Sequence, residues 1–323
     1  MTSRAASHPL DAVITVGTFD GVHRGHADVL RELDARAKAR GLRSVLVTFA
    51  RHPLETLRPD DAPPLLTPGV EKLEALASVA MPIDRVVRLP FTPELAALSA
   101  ERFVLDVLCG KYKLRELLIG HDHGFGRGRG GDAAALQALG ATHGFAVDVV
   151  APVTTPDGTP ISSTTVRDAL RRGDLASVGE QLGRPYSLRG HVVRGDQRGR
   201  LLGYPTLNVR LPDARKLLPP DGVYAVRVML PDGERGGMLN LGGRPTFGDV
   251  GRSIEVHMFD ASGDWYGAPV GVSFIERLRD VRRFDGVDAL VAQLAQDAAA
   301  ARDALRAADV AAPHGRVLAP LTP

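Results

Sequence analysis

Apolar residues follow two different rhythms along this chain. In the first half, short apolar runs at residues 12–16, 45–49, 85–89, 117–119 and 146–150 predict strands. Between them, apolar positions recur at helical spacing. In 25–40 the stripe is Val29, Leu30, Leu33 and Ala37, and 70–79, 100–108, 132–139 and 164–170 read the same way. Short apolar strands alternating with helices predict a parallel sheet covered on both faces.

The rhythm changes near Gly183-Arg184-Pro185. From residue 187 to about 278, strand-like runs at 187–193, 223–230, 237–241, 254–258 and 270–274 are separated by turn signals such as Pro231-Asp232-Gly233 and Ser262-Gly263-Asp264. This pattern predicts an antiparallel barrel or sandwich. A closing helix over 286–307 carries Leu290, Leu294 and Ala298, and a proline-containing tail follows. The expected domains are 1–183, 184–308 and a loose tail over 309–323.

Composition narrows the function classes. The 323 residues suit two domains. A formal charge of +2 argues against a basic nucleic-acid coat protein. The single cysteine, Cys109, excludes an internal disulfide and any multi-cysteine zinc site. No uncharged apolar run reaches membrane-span length, and residues 1–10 lack the apolar core of a signal peptide. We therefore expect a cytoplasmic protein acting on small molecules, with no nucleic-acid or membrane partner, as a monomer or weak homo-oligomer. Of the basic residues 35 are arginine and five lysine, a skew that reads first as composition.

The first chemical constellation lies between the first strand and the first helix: Gly17-Thr18-Phe19-Asp20-Gly21-Val22-His23-Arg24-Gly25-His26. A helix start at the carboxyl end of a strand suits an anion. Gly25 permits close backbone approach of a phosphate. His23 and His26, three apart, share a face and can donate to a phosphate gaining charge. The glycines match neither a Walker loop nor the dinucleotide fingerprint. A second element, Ile161-Ser162-Ser163-Thr164-Thr165-Val166-Arg167, gathers hydroxyls and Arg167 at another helix start. Ordinary capping, with Thr165 and Asp168 as an approximate capping box, is the alternative. His121-Asp122-His123 sits among six glycines, which favours a loop over a ligand above a zinc chelate.

The second constellation is in the barrel half. Gly190-x-Val-Val-x-Gly195 and Gly199-Arg200-Leu201-Leu202-Gly203 suit either a flap over phosphates or simple hairpin turns. Thr206 and Asn208, two apart, point the same way on a strand, and their oxygens suit Mg²⁺; a turn after Pro205 is the alternative. Ile254, Val256 and Met258 share one strand face, leaving Glu255 and His257 on the other. A glutamate near ATP can take the proton from an attacking alcohol.

Together these motifs resemble the bacterial bifunctional riboflavin kinase/FAD synthetase family. The first half resembles its FMN adenylyltransferase module, a nucleotidylyltransferase, through Gly-x-Phe-Asp-Gly-Val-His-x-Gly-His, Thr48-Phe49 with His52-Pro53, Leu66-Thr67-Pro68 before Lys72, Gly120-His121-Asp122 with Phe125-Gly126, and Ile-Ser-Ser-Thr-x-Val-Arg. The second half resembles its riboflavin kinase through Leu-Gly-Tyr-Pro-Thr-x-Asn, Asp221-Gly222-Val223-Tyr224, Asn240-Leu241-Gly242-x-Arg244-Pro245-Thr246-Phe247, Glu255-Val256-His257, Tyr266-Gly267, Arg277-Leu278-Arg279 and Phe284.

The resemblance implies a Rossmann-like α/β nucleotidylyltransferase domain followed by an antiparallel β-barrel kinase domain with a C-terminal helix. Riboflavin and ATP would give FMN, and FMN and ATP would give FAD, with Mg²⁺ at both steps. His23 and His26 would contact ATP phosphates, and Gly17, Phe19, Asp20, Gly25, Asp122, Ser162, Ser163, Thr164 and Arg167 would belong to the same nucleotide site. Gly195 and Gly199 would line the kinase nucleotide, Thr206 and Asn208 would hold Mg²⁺, and Glu255 would be the general base. The chain departs from the family pattern at His123, where Phe is usual, at Arg51, where Pro is usual, and at Leu207, where Ala is usual.

Overall fold

The computed structural model describes residues 10–79, 82–120, 131–195, 199, 202–243 and 252–311. By packing, the chain divides into two compact units: Met1–Pro64 with Ala75–Ser162, and Leu65–Glu74 with Ser163–Pro323.

The first unit is built on five parallel strands: β1 (Ala12–Val16), β2 (Arg43–Phe49), β3 (Arg85–Leu89), β4 (Leu114–Gly120) and β5 (Ala146–Val150). Their order is β3-β2-β1-β4-β5. β1 is buried throughout because both of its faces are covered. Ala12, Ile14 and Val16 pack with Phe103, Val104 and Leu108. Val13 packs with Leu30, Leu33 and Ala37 of helix α1 (Arg24–Arg40). Strand order reverses between β1 and β4, and in such sheets the crevice at the strands' carboxyl ends is where ligands bind.

The remaining helices of this half are α2 (Pro53–Leu57), α3 (Val70–Ser78), α4 (Pro93–Ala97), a helical stretch α5 over 100–112, α6 (Ala133–His143), α7 (Ser163–Arg171) and α8 (Leu175–Leu182). The predicted helix over 100–108 widens into a π turn at Phe103–Cys109, where the Gly110 N–H reaches back to the Leu105 carbonyl. Pattern reading missed α2 and α4, each a single turn begun by a capping residue and a proline. It also missed α8, which Asp174 caps and Gly183 ends in the left-handed conformation.

The second unit contains a closed antiparallel barrel of β6 (Ser187–Val193), β7 (Leu207–Arg210), β8 (Gly222–Leu230), β9 (Gly233–Gly243), β10 (Arg252–Met258) and β11 (Pro269–Arg279), in the order β10-β7-β6-β11-β8-β9. Closure leaves no unpaired edge. Alternation assigns the faces. Tyr224, Val226, Leu239, Leu241, Ile254, Val256 and Phe274 enter one core. Ala225 and Met238, one residue out of phase, pack under Ala301, Ala304 and Leu305 of α9 (Val287–Ala311). That helix runs past the predicted end at 307, and residues 312–323 of the expected tail lie outside the described residues.

Three pieces from the first half of the sequence pack with the barrel. Val166 and Leu170 of α7, and Val178 and Leu182 of α8, share its core. The third piece is Leu65–Glu74. Its Leu65 exchanges backbone hydrogen bonds with Arg215 and Leu217, each at 2.8 Å. Lys216 is buried between them. Its ammonium donates to the Leu66 carbonyl (2.6 Å), the Ser187 carbonyl (2.6 Å) and Glu71 Oε2 (2.5 Å), and lies 4.3 Å from the Tyr186 ring centre. Three donors meet three acceptors, which is how an ammonium tolerates burial. Glu71 Oε1 accepts from the Arg189 N–H at 2.9 Å. Burial nevertheless pushes the Glu71 carboxyl upward, against the pull of Lys216. Burial also pushes the Arg184 guanidinium down to about 10.

Candidate active sites

The first site forms where β1 runs into α1. The turn needs unusual backbone: Phe19, Gly21 and Val22 have φ of 49°, 85° and 42°. A β-branched residue in the left-handed region is costly, on the order of 1–3 kcal/mol, and such strain concentrates at functional sites. The strain is fixed by burial, with Phe19 and Asp20 each 2% exposed. The turn delivers His23 to the N-cap of α1, where Nδ1 accepts from the His26 N–H at 3.3 Å. That bond places the neutral ring's proton on Nε2. The His23 and His26 rings stack with centroids 3.7 Å apart, and Phe19 covers His26 at 4.6 Å.

The glycines here make room for these rings. A Cβ on Gly25 would stand 3.1 Å from His23 Nδ1 and 3.4 Å from the Ile161 carbonyl oxygen. A Cβ on Gly17 would stand 3.0 Å from the Phe19 ring. Gly17, Phe19, Gly25, His23 and His26 are thus one packed group, and Ile161 reaches it. A small hairpin brings Ile161 there, closed by Ile161 N–H to the Val153 carbonyl at 2.9 Å.

Ser162 ends the first unit, and Ser163, Thr164 and Arg167 belong to α7 in the second. Arg167 is 6% exposed, while Thr164 faces solvent. The capping-box alternative for Thr165 and Asp168 fails. Thr165 lies inside α7 and donates its hydroxyl to Gln181 Oε1 at 2.7 Å, and Asp168 accepts from Arg171 instead. Asp122, His121 and His123 lie outside the described residues. Among the described residues, no group of three or more His, Cys, Asp or Glu is placed to hold a metal ion.

The second site is made by strand register. Asn208 on β7 lies opposite Glu255 on β10, and Glu255 lies opposite Asn240 on β9. All three face away from the barrel core, because their neighbours Val209, Ile254, Val256, Leu239 and Leu241 fill it. Directly opposed residues bring their Cβ atoms to about 5 Å. Asn208, Glu255 and Asn240 therefore form a transverse polar row. Asn208 is 8% exposed because Gly195 covers its amide: a Cβ on Gly195 would fall 2.1 Å from Asn208 Nδ2. A Cβ on Gly199 would fall 2.3 Å from the Tyr204 carbonyl oxygen, and the Tyr204 N–H bonds the Gly199 carbonyl at 2.9 Å. At Gly199 the obstacle is backbone, and at Gly195 it is the Asn208 side-chain amide.

Thr206 is half-buried just before β7. Its hydroxyl and the Asn208 amide oxygen are hard oxygen donors, the kind Mg²⁺ prefers. Sequence reading assigned no role to Asn240, His257 or Lys216. Asn240 and His257 stand in quoted motifs, but only register shows what they face. Lys216 is one of five lysines in an arginine-rich chain, the sole compositional sign that it differs.

Comparison with known proteins gives the family of each half. Residues 5–165 match the FAD synthetase family and residues 182–305 the riboflavin kinase family. The bifunctional riboflavin kinase/FMN adenylyltransferase of Escherichia coli K12 is 40% identical over 293 residues, covering 90% of this chain and 92% of that protein. Its Pseudomonas fluorescens counterpart is 38% identical with the same coverage. A crystal structure from Streptococcus pneumoniae, described as a macrolide-efflux protein, is 32% identical with a TM-score of 0.82, covering 93% of this chain and 96% of that one. Among the described residues no helix is long and apolar enough to cross a membrane. The chain belongs to the bifunctional riboflavin kinase/FMN adenylyltransferase family, with its FAD synthetase region N-terminal and its riboflavin kinase region C-terminal.

Proposed function

We propose how the residues divide these two reactions. In the first, His23 and His26 bind the ATP phosphates. The FMN phosphate attacks the α-phosphorus in line and pyrophosphate leaves, so no protein nucleophile is needed. Catalysis is then positioning plus charge stabilisation. The carrying observation is the stacked pair at the start of α1: His23 Nε2–H is held as a donor by the bond at Nδ1. Gly17, Phe19, Asp20 and Gly25 shape this pocket. Ser162, Ser163, Thr164, Arg167 and Asp122 are assigned to the same nucleotide by resemblance alone.

In the second reaction, Glu255 takes the proton of the ribityl 5′-hydroxyl as that oxygen attacks the γ-phosphorus of ATP, and ADP leaves. Register supports this, since Glu255 stands beside Asn208 on the face away from the core. Thr206 and Asn208 are the residues that would hold Mg²⁺, which supplies charge compensation between phosphates when bound. Gly195 and Gly199 bring backbone close to the nucleotide. The catalytic modules are taken as 1–183 and 184–308, working in the cytoplasm on small molecules as a monomer or weak homo-oligomer.

Incubation with riboflavin, ATP and Mg²⁺ followed by separation of the flavins tests the assignment. Asn208→Ala or Glu255→Ala should stop FMN formation while FMN-to-FAD conversion continues. His26→Ala should make FMN accumulate. One change abolishing both activities in a folded protein would sink the two-site division.

A further inference from the structure

We infer that His257 is a positioning residue of the riboflavin kinase site, acting through the Pro205 carbonyl on Thr206. The inference rests on the proposed role of Thr206 toward Mg²⁺ and the phosphates.

The antiparallel ladder between β7 and β10 ends at the pair Leu207–Val256. One step further, Thr206 would face His257. The ladder has no simple way to continue, because Pro205 has no N–H to give. The His257 side chain takes its place: Nδ1 lies 2.9 Å from the Pro205 carbonyl oxygen. A carbonyl only accepts, so the shared proton is on Nδ1 and the neutral ring's lone pair is on Nε2. The Pro205 carbonyl lies in one rigid plane with the Thr206 nitrogen and Cα. Holding that oxygen sets the plane from which the Thr206 side chain departs.

The holder is itself held. The His257 ring meets Tyr204 edge-on at 5.1 Å and Phe259 edge-on at 5.9 Å. Phe259 is buried, and the Arg302 guanidinium lies 4.2 Å from its ring centre. The His257 backbone admits no neighbouring side chain: a Cβ on Gly237 would fall 2.5 Å from its carbonyl oxygen. On the other side, Gly199 clasps Tyr204. The Tyr204-Pro205-Thr206 segment is thus fixed at one end by a glycine turn, at the other by the β7 ladder, and in the middle by one imidazole.

Asparagine carries its amide nitrogen where histidine carries Nδ1, whereas leucine fills similar space with no donor. The full-length enzyme is compared as wild type, His257→Leu, His257→Asn and Thr206→Val. We expect His257→Leu to raise KM for Mg·ATP in FMN formation by about tenfold, with KM for riboflavin within about twofold, since one net hydrogen bond is at stake. His257→Asn should restore most of this. Calorimetric titration with Mg·ADP should show the same order, the difference between wild-type and variant isotherms isolating the affected site. FMN-to-FAD conversion and Tm should be alike in all four proteins.

Equal behaviour of His257→Leu and wild type, with Thr206→Val impaired, would overturn the inference while leaving the role of Thr206 standing. A neutral Thr206→Val would remove that role and the inference with it. A His257→Leu defect that asparagine does not relieve, or that lowers Tm and both activities together, would mark His257 as a packing residue only.

Discussion

The two sites are built by opposite means. The histidine part of the proposed adenylyltransferase site is local: Gly17 to His26 form one turn, held by positive φ at Phe19, Gly21 and Val22 and by stacked rings. The proposed kinase site is assembled from distant stretches around Gly195, Asn208, Asn240 and Glu255, brought together by the register of three strands and a loop. A local site concentrates strain where the ligand binds. A register site spreads its constraint over a whole barrel, and a one-residue slip would turn Asn208 or Glu255 into the core.

The two sites differ most in the chemistry of the groups they use, so removing those groups should have the largest effects. Glu255→Gln keeps size and register but cannot accept the proton, and should lower FMN formation by about 10² to 10⁴. His26→Ala should stop FAD formation. Chromatographic separation of the flavins reads both, and each loss should leave the other reaction within about twofold of wild type.

Next in size are the glycines, where distances rank the effects. A methyl on Gly195 would collide with the Asn208 amide at 2.1 Å and push aside a group proposed to hold Mg²⁺. A methyl on Gly25 would stand 3.1 Å from a ring that can tilt. Gly195→Ala should therefore cost FMN formation about 10², and Gly25→Ala should cost FAD formation about tenfold, by loss of positioning. Equal penalties, measured as kcat/KM for each reaction, would mean that the Asn208 amide yields as readily as the His23 ring.

The same contrast explains what was legible in the sequence. The parallel sheet, an antiparallel barrel or sandwich and the closing helix followed from periodicity, and the family resemblance narrowed the second of these to a barrel. The His-x-Gly-His turn was readable because its residues are neighbours. Glu255 could be assigned a face from Ile254, Val256 and Met258, yet its partners Asn208 and Asn240 could not be derived, since register is a tertiary property. The packing of Leu65–Glu74, α7 and α8 with the barrel was also hidden. The helical pattern of α7 continues that of the α/β half, α8 was missed, and only the contacts of Lys216, Val166 and Leu182 reveal their neighbours.

Buried charge gives the smallest effects and the finest test of how differently the units are fastened. In the second unit both members of a pair are buried: the Lys216 side chain is 1% exposed and that of Glu71 8%. In the first unit the Glu116 side chain is 1% exposed, but its partners Arg36 and Arg40 are 27% and 46% exposed. Lys216→Met strands Glu71 among groups that cannot reach water, and should cost about 3–5 kcal/mol by urea denaturation. Adding Glu71→Gln should recover part of that loss, because the stranded charge is then gone. Glu116→Gln instead leaves two arginines that can turn toward solvent, and should cost only about 1–2 kcal/mol. If Glu116→Gln proved as damaging as Lys216→Met, solvent access to the surviving partner would not govern the penalty. If the double variant proved no more stable than Lys216→Met, the ammonium's bonds to the Leu66 and Ser187 carbonyls, rather than its pairing with Glu71, would be what fastens Leu65–Glu74 to the barrel.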